Sequence, residues 1–133
     1  MADTSSDLEK VRRYLKAIED GRFAEIRELF AADALVVQYP NRIYPQGLSA
    51  SVSQMGDAFE KGRKLLSSKK YEIKNELVTG DCVAVEVLWV GKLAISFGSL
   101  QAGSEMRAHS AMFFEFRDGK IVNQKNYDCF KAW

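Results

Sequence analysis

The sequence predicts an α+β fold in which N-terminal helices cover a curved, mainly antiparallel sheet. Three observations carry that prediction. Before Ser68 the apolar residues recur at helical spacing, as in Leu8, Val11, Leu15 and Ile18. After Ser68 the period changes to alternation. Turn signals at Gly80–Asp81 and Asp118–Gly119 then divide the second half into strands. Helices gathered at one end of a chain and strands at the other mark the α+β class.

Taken in order, Ser6 followed by Glu9 has the form of a capping box and is expected to start the first helix. Gly21 is expected to end it. A short second helix would bury Phe23, Ile26, Leu29 and Phe30, and a strand from Leu35 to Tyr39 stops at Pro40. Asn41 to Gly47 reads as a loop. From Leu48 a third helix is expected, with Val52, Met55, Phe59 and Leu66 on one face. Gly56 and Gly62 weaken it by roughly 1 kcal/mol each relative to alanine.

In the next segment Tyr71, Ile73 and Leu77 face one way while Lys70, Glu72, Lys74 and Glu76 face the other. Cys82 to Val90 is nearly continuous in apolar residues and belongs in the middle of a sheet, with Leu93 to Phe97 a candidate extension past a bulge at Gly91. Glu105 to Arg117 and Lys120 to Phe130 form the last two strands. Residues 1–133 are expected to make one domain, a length that buries a core without staples.

Composition excludes several classes of function. Lysine plus arginine number 19 and aspartate plus glutamate 18, without the cationic surplus that phosphate backbones demand, so nucleic acid is not the expected partner. The basic run Lys61, Lys64, Lys69 and Lys70 reads as a solvated helix end. Cys82 and Cys129 lack metal-ligand spacing and read as reduced core residues of a cytoplasmic, soluble protein. No leader is visible in MADTSSDLEK, and no apolar run approaches the ~20 residues of a membrane helix. Neither metal nor another cofactor is expected, because no ligand cluster or glycine-rich phosphate turn is present.

Two stretches carry a resemblance. VRRYLKAIEDGRFAEIRELFAADALVVQYP with Gly47, and VAVEVLWVGK with FFEFRDGKIVNQKNYD, resemble the nuclear transport factor 2-like superfamily, in its SnoaL-like polyketide cyclase and ketosteroid isomerase-like branch. The resemblance implies a cone: about three N-terminal helices packed in the concave face of a strongly curved mixed sheet, with a cavity at the wide end. Such a fold hosts enzymes, binding modules and transport factors alike. Tyr14 falls where ketosteroid isomerases keep an oxyanion tyrosine. Their general-base aspartate falls at Gln38, and their protonated acid falls at or near Met112. Neither residue can shuttle a proton, so the two-carboxyl isomerase mechanism is not expected. Gln38 matches the water-holding amide of limonene-epoxide hydrolases. Their arginine and aspartate on the central strand fall near Val87 and Trp89, and the acid of the last strand falls at Asn126. Asp128 matches the acid that closes the last-strand motif, here Asn126-Tyr127-Asp128.

The candidate catalytic residues are therefore Asp128, His109 and Tyr14. In a plain two-residue hairpin at Asp118–Gly119, counting back pairs His109 with Asp128, which would make a general base. In the family pattern Ala108, Ser110, Met112 and Phe114 face the pocket instead, which sends His109 outward. The candidate pocket residues are Gln38, Met55, Phe59 and Trp89, together with Met112, Phe114 and Asn126. Tyr39, Arg42 and Tyr44 are candidates for the entrance. The expected partner is a small, mostly apolar or aromatic molecule. The resemblance also implies a homodimer, and an outer sheet face with Phe113 and Tyr127 needs cover. The alternatives are a hydrolase, dehydratase or cyclase using Asp128 with or without His109, and a protein-interaction module whose cone is filled by its own side chains.

Overall fold

A computed structural model describes residues 4–133, so the reading of the extreme N-terminus lies partly outside the described residues. The elements run α1 (Thr4–Asp20), α2 (Phe23–Leu29), β1 (Phe30–Gln38), β2 (Leu48–Ser51), α3 (Val52–Leu65), β3 (Leu66–Thr79), β4 (Cys82–Leu93), β5 (Glu105–Arg117) and β6 (Lys120–Phe130). The six strands make one open sheet in the order β2-β1-β6-β5-β4-β3. Every neighbouring pair is antiparallel except β1 and β6, which are parallel. Three helices pack on one face of this mixed sheet, as an α+β fold requires.

In α1 the predicted stripe holds: Val11 and Leu15 are buried and Leu8 and Ile18 half-buried, while Arg12, Arg13 and Lys16 are exposed. The capping box does not start the helix, because Thr4 and Ser6 already lie inside it. Glu9 instead meets Arg12 at 3.4 Å. A true capping box opens α3, where Ser51 Oγ accepts the Gln54 N–H and Gln54 Oε1 accepts the Ser51 N–H at 2.9 Å. The helix expected from Leu48 is thus delayed to Val52, and Leu48–Ser51 becomes an edge strand pairing Gln38 with Leu48 and Leu35 with Ser51.

Two bulges correct the alternation read from the sequence. In β3, Ile73 pairs with Val87 and Asn75 with Glu86, so Lys74 is the extra residue. An extra residue reverses which face each later side chain takes. Leu77 is therefore 67% exposed, while Glu76 turns toward α1 and receives both Nε and Nη2 of Arg12 at 2.8 Å. In β6, Phe116 pairs with Ile121 and Glu115 with Asn123, leaving Val122 extra. Beyond it Ser110 faces Asp128 and His109 faces Cys129, so the plain-hairpin pairing of His109 with Asp128 does not form.

No bulge occurs at Gly91, which sits in an unbroken ladder between Val90↔Arg107 and Lys92↔Glu105. Its lack of a side chain makes room for a ring: a Cβ there would lie 2.5 Å from the Trp89 indole. The strand ends at Leu93 and does not run to Phe97. Both cysteines are free, but Cys82 is half-buried and Cys129 exposed, which corrects the expectation that they lie in the core. The core itself joins α1 and α2 to the inner faces of β1, β4, β5 and β6 through residues such as Tyr14, Ile26, Val36, Val85, Phe114 and Ile121.

Candidate functional site

The inner face of β6 decides what the site can do. Because Val122 is the extra residue, Gln124 and Asn126 point inward with Ile121, and Lys125 and Tyr127 do not take that face. Without the bulge, the same alternation would put Tyr127 on the inside and Asp128 on the outside. On β5 the facing residues are Phe114, Met112 and Ser110, opposite Gln124, Asn126 and Asp128 in turn. Polar and apolar groups thus stand side by side on the sheet floor.

Between this floor and the helices lies a cavity of two lobes, of about 200 Å³ and about 180 Å³. The lobes share Ile18, Gln38, Tyr44, Tyr71, Met112 and Asn126, so they adjoin along these residues. The first lobe adds Trp89, Ser110, Asp128 and Phe130, with Lys69 at its side. The second adds Tyr14 from α1, Phe23 from α2, and Met55 and Phe59 from α3. A mostly apolar wall with a few convergent polar groups is the usual constitution of a small-molecule site.

Burial sets the chemistry of its titratable groups. The Asp128 carboxyl is pushed above the usual carboxylate range by burial, partly offset by a hydrogen bond from the Ser110 hydroxyl. The Tyr14 phenol is pushed up to about 12, first by burial and then by the nearby Asp128 charge, against a lowering contact with Gln124. Tyr71 is raised further, again chiefly by burial, with contributions from Tyr14, Asp128 and Glu19. At neutral pH both phenols therefore keep their protons and can only donate to, or accept from, a ligand oxygen. Gln124 Nε2 donates to Asn126 Oδ1 at 2.9 Å, which orients the Asn126 amide at the junction of the lobes. A Glu19 carboxylate oxygen accepts the Tyr71 backbone N–H at 2.7 Å and ties β3 to α1 beneath the cavity.

The candidates from the sequence fall into three groups. Gln38, Met112 and Asn126 line both lobes; Trp89 and Asp128 line the first, and Tyr14, Met55 and Phe59 the second. Phe114 is a correction: it is fully buried one layer behind the cavity, with its ring edge-on to Tyr14 at 5.7 Å. His109 is exposed on the outer sheet face, where it cannot reach the cavity. Of the entrance candidates, Tyr44 lines both lobes, held by the Asn41 side chain, whose Oδ1 accepts the Ile43 and Tyr44 N–H groups at 2.8 and 3.0 Å. Arg42 instead lies 4.1 Å over the Trp133 ring, and Tyr39 stacks on Tyr127 on the outer face. Tyr71 and Lys69 were not singled out by sequence reasoning. The inward alternation of Tyr71 was visible, but nothing in the pattern distinguished it from a core tyrosine.

The family model for the SnoaL-like domain matches residues 11–124. The chain belongs to the SnoaL-like domain family. No curated protein matches the sequence. Among solved structures, AclR of Streptomyces galilaeus, a proposed hydroxylase, is similar with a TM-score of 0.79 and 18% identity over 95% of this chain and 76% of that one. IdmH of Streptomyces antibioticus, a proposed polyketide cyclase, gives 0.78 and 20% identity over 92% and 91% of the two chains. A ketosteroid isomerase-like protein of Catenulispora acidiphila, in complex with trimethylamine, gives 0.74 and 18% identity over 90% and 84%. At such identity these likenesses establish the fold and leave the chemistry of this SnoaL-like chain to its own residues. Among the described residues no helix is long and apolar enough to cross a membrane.

Proposed function

We propose that this SnoaL-like domain binds a small, mostly apolar or aromatic molecule bearing a carbonyl or hydroxyl oxygen. The observation that carries the reading is the two-lobed cavity, with Tyr14, Tyr71, Asn126 and Asp128 among the polar groups of its lining. The apolar body of the ligand would lie against Trp89, Met112 and Phe59, and its oxygen would meet the phenols and the carboxyl. An open cavity favours this reading over an interaction module with a filled cone. Neutral aromatic ketones such as 2-acetonaphthone should quench tryptophan fluorescence saturably, and Met112→Trp, which fills the shared wall, should abolish the effect. Absence of saturable quenching by the wild type would remove the reading.

A second reading is favoured by Asp128. A carboxyl raised by burial and bonded to Ser110 is suited to exchange protons with a bound carbonyl compound, as a cyclase, dehydratase or hydrolase requires. Here Asp128 moves the proton, Tyr14 and Tyr71 hold the oxygen where negative charge develops, and the enclosing wall limits water. Exchange of the acetyl protons of 2-acetonaphthone in deuterated water, followed by NMR, measures this directly. Asp128→Asn should slow the protein-catalysed exchange by about 10²–10⁴-fold. Equal rates in the two proteins would leave binding alone. The proposal includes a homodimer formed through the outer sheet face, where Leu35, Phe113 and Tyr127 are exposed. It also includes a cytoplasmic setting, in keeping with two unpaired cysteines.

A further inference from the structure

Lys69 departs from the basic run to which it belongs. Lys61, Lys64 and Lys70 are exposed, whereas Lys69 is half-buried and lines the first lobe. Its ammonium lies 4.7 Å over the ring of Phe59, which is a wall of the second lobe. Among the described residues it is the one cationic side chain in either lining. It makes no ion pair with any described carboxylate, and the charged group that acts on it is another cation, Arg63. Glu60, the acid next to Arg63, is engaged with it at 3.3 Å.

A cation taken part-way out of water beside a second cation is disfavoured unless an anion compensates it. Burial and Arg63 accordingly hold its ammonium below the ordinary lysine range. The ring beneath it supplies an attractive face but no counter-charge. The other charged residue of that lobe, Asp128, does not fill that role, because it makes no ion pair with Lys69 and is hydrogen-bonded by the Ser110 hydroxyl. The cavity therefore carries an unpaired cation at Lys69 beside hydrogen-bonding groups at Asp128, Tyr14 and Tyr71.

We infer that the ligand of this cavity is an amphipathic carboxylic acid, its apolar body against Trp89 and Met112 and its carboxylate on Lys69. This inference rests on the small-molecule reading above and names the class of molecule. A carboxylate there turns an unpaired cation into a desolvated ion pair. The same arrangement discriminates against neutral isosteres, which leave the lysine uncompensated.

The test is calorimetric titration of the whole chain with 2-naphthoate and with its neutral isostere 2-naphthamide. Wild type should bind the acid at least tenfold more tightly than the amide. Lys69→Met should bring the two within about twofold by weakening the acid alone, and Lys69→Arg should keep the preference. An unchanged amide affinity in Lys69→Met shows that the cavity is intact. Equal affinities in the wild type, or a preference that survives Lys69→Met, would overturn the inference while leaving the small-molecule reading in place. Binding of neither compound would take down both.

Discussion

Replacing Gly47 with alanine tests how the entrance loop is held against the sheet. Gly47 has φ of +75°, in the left-handed region, and a Cβ there would meet the Gln38 carbonyl oxygen at 2.9 Å and Pro40 Cδ at 3.3 Å. The conformation alone costs an L-residue about 1–2 kcal/mol. Pressing a methyl group onto a backbone oxygen that cannot rotate away adds about 1–3 kcal/mol. Gly80 is the control, because its φ of +54° exacts the first cost while nothing lies within 4 Å of its Cβ position. Restricting the unfolded chain has the same effect in both variants and cancels from their difference. For a chain of 133 residues each kcal/mol moves the midpoint of thermal unfolding by about 4 °C. Gly80→Ala should therefore unfold about 4–8 °C below the wild type, and Gly47→Ala roughly 4–12 °C lower again. Differential scanning calorimetry of the two variants measures this. A midpoint for Gly47→Ala equal to that of Gly80→Ala would refute the reasoning, since the loop would then yield at no cost. Because Gln38 and Tyr44 flank the strained point and line both lobes, Gly47→Ala should also weaken ligand binding, and Gly80→Ala should not.

Asp128→Asn should be more stable than the wild type at neutral pH. The folded-state pKa of Asp128 is raised by burial, so between the ordinary aspartate value of about 3.9 and that raised value the unfolded chain gives up its proton first. Wild-type stability then falls relative to the asparagine variant as pH rises through this window, whereas below about pH 3 both forms are neutral in both states. Urea titrations from pH 3 to 8 would contradict the assignment if the gap moved the other way. Leu77→Lys should change stability by no more than about 0.5 kcal/mol, because the Lys74 bulge leaves Leu77 on the solvent side. A loss of 2 kcal/mol or more in chemical denaturation would return Leu77 to the core.

The local signals in the sequence were sufficient for the class of fold and most of its elements. Helical spacing placed α1 and α2, and the turn pairs Gly80–Asp81 and Asp118–Gly119 placed the boundaries of β4, β5 and β6, because helix stripes and turn dihedrals are properties of adjacent residues. The short strand Leu48–Ser51 was not legible, since four residues are too few for a period and their partner, β1, lies earlier in the chain. The true capping box at Ser51 and Gln54 was hidden inside an expected helix for the same reason.

The composition of the cavity was legible only as a set of candidates. Tyr14, Gln38, Trp89 and Asp128 were selected by resemblance, yet their assembly depends on α1, β1, β4 and β6 meeting in space. By itself the sequence determined the α+β order, the apolar faces and the kinds of polar residue available. Tertiary structure alone decided which of them look inward. One extra residue, Val122, puts Asp128 opposite Ser110 and leaves His109 opposite Cys129, and another, Lys74, exposes Leu77. A strand has a side-chain period of two, so a single bulge reverses every face beyond it. Bulges arise from pairing with another strand, and no window along one strand contains that information.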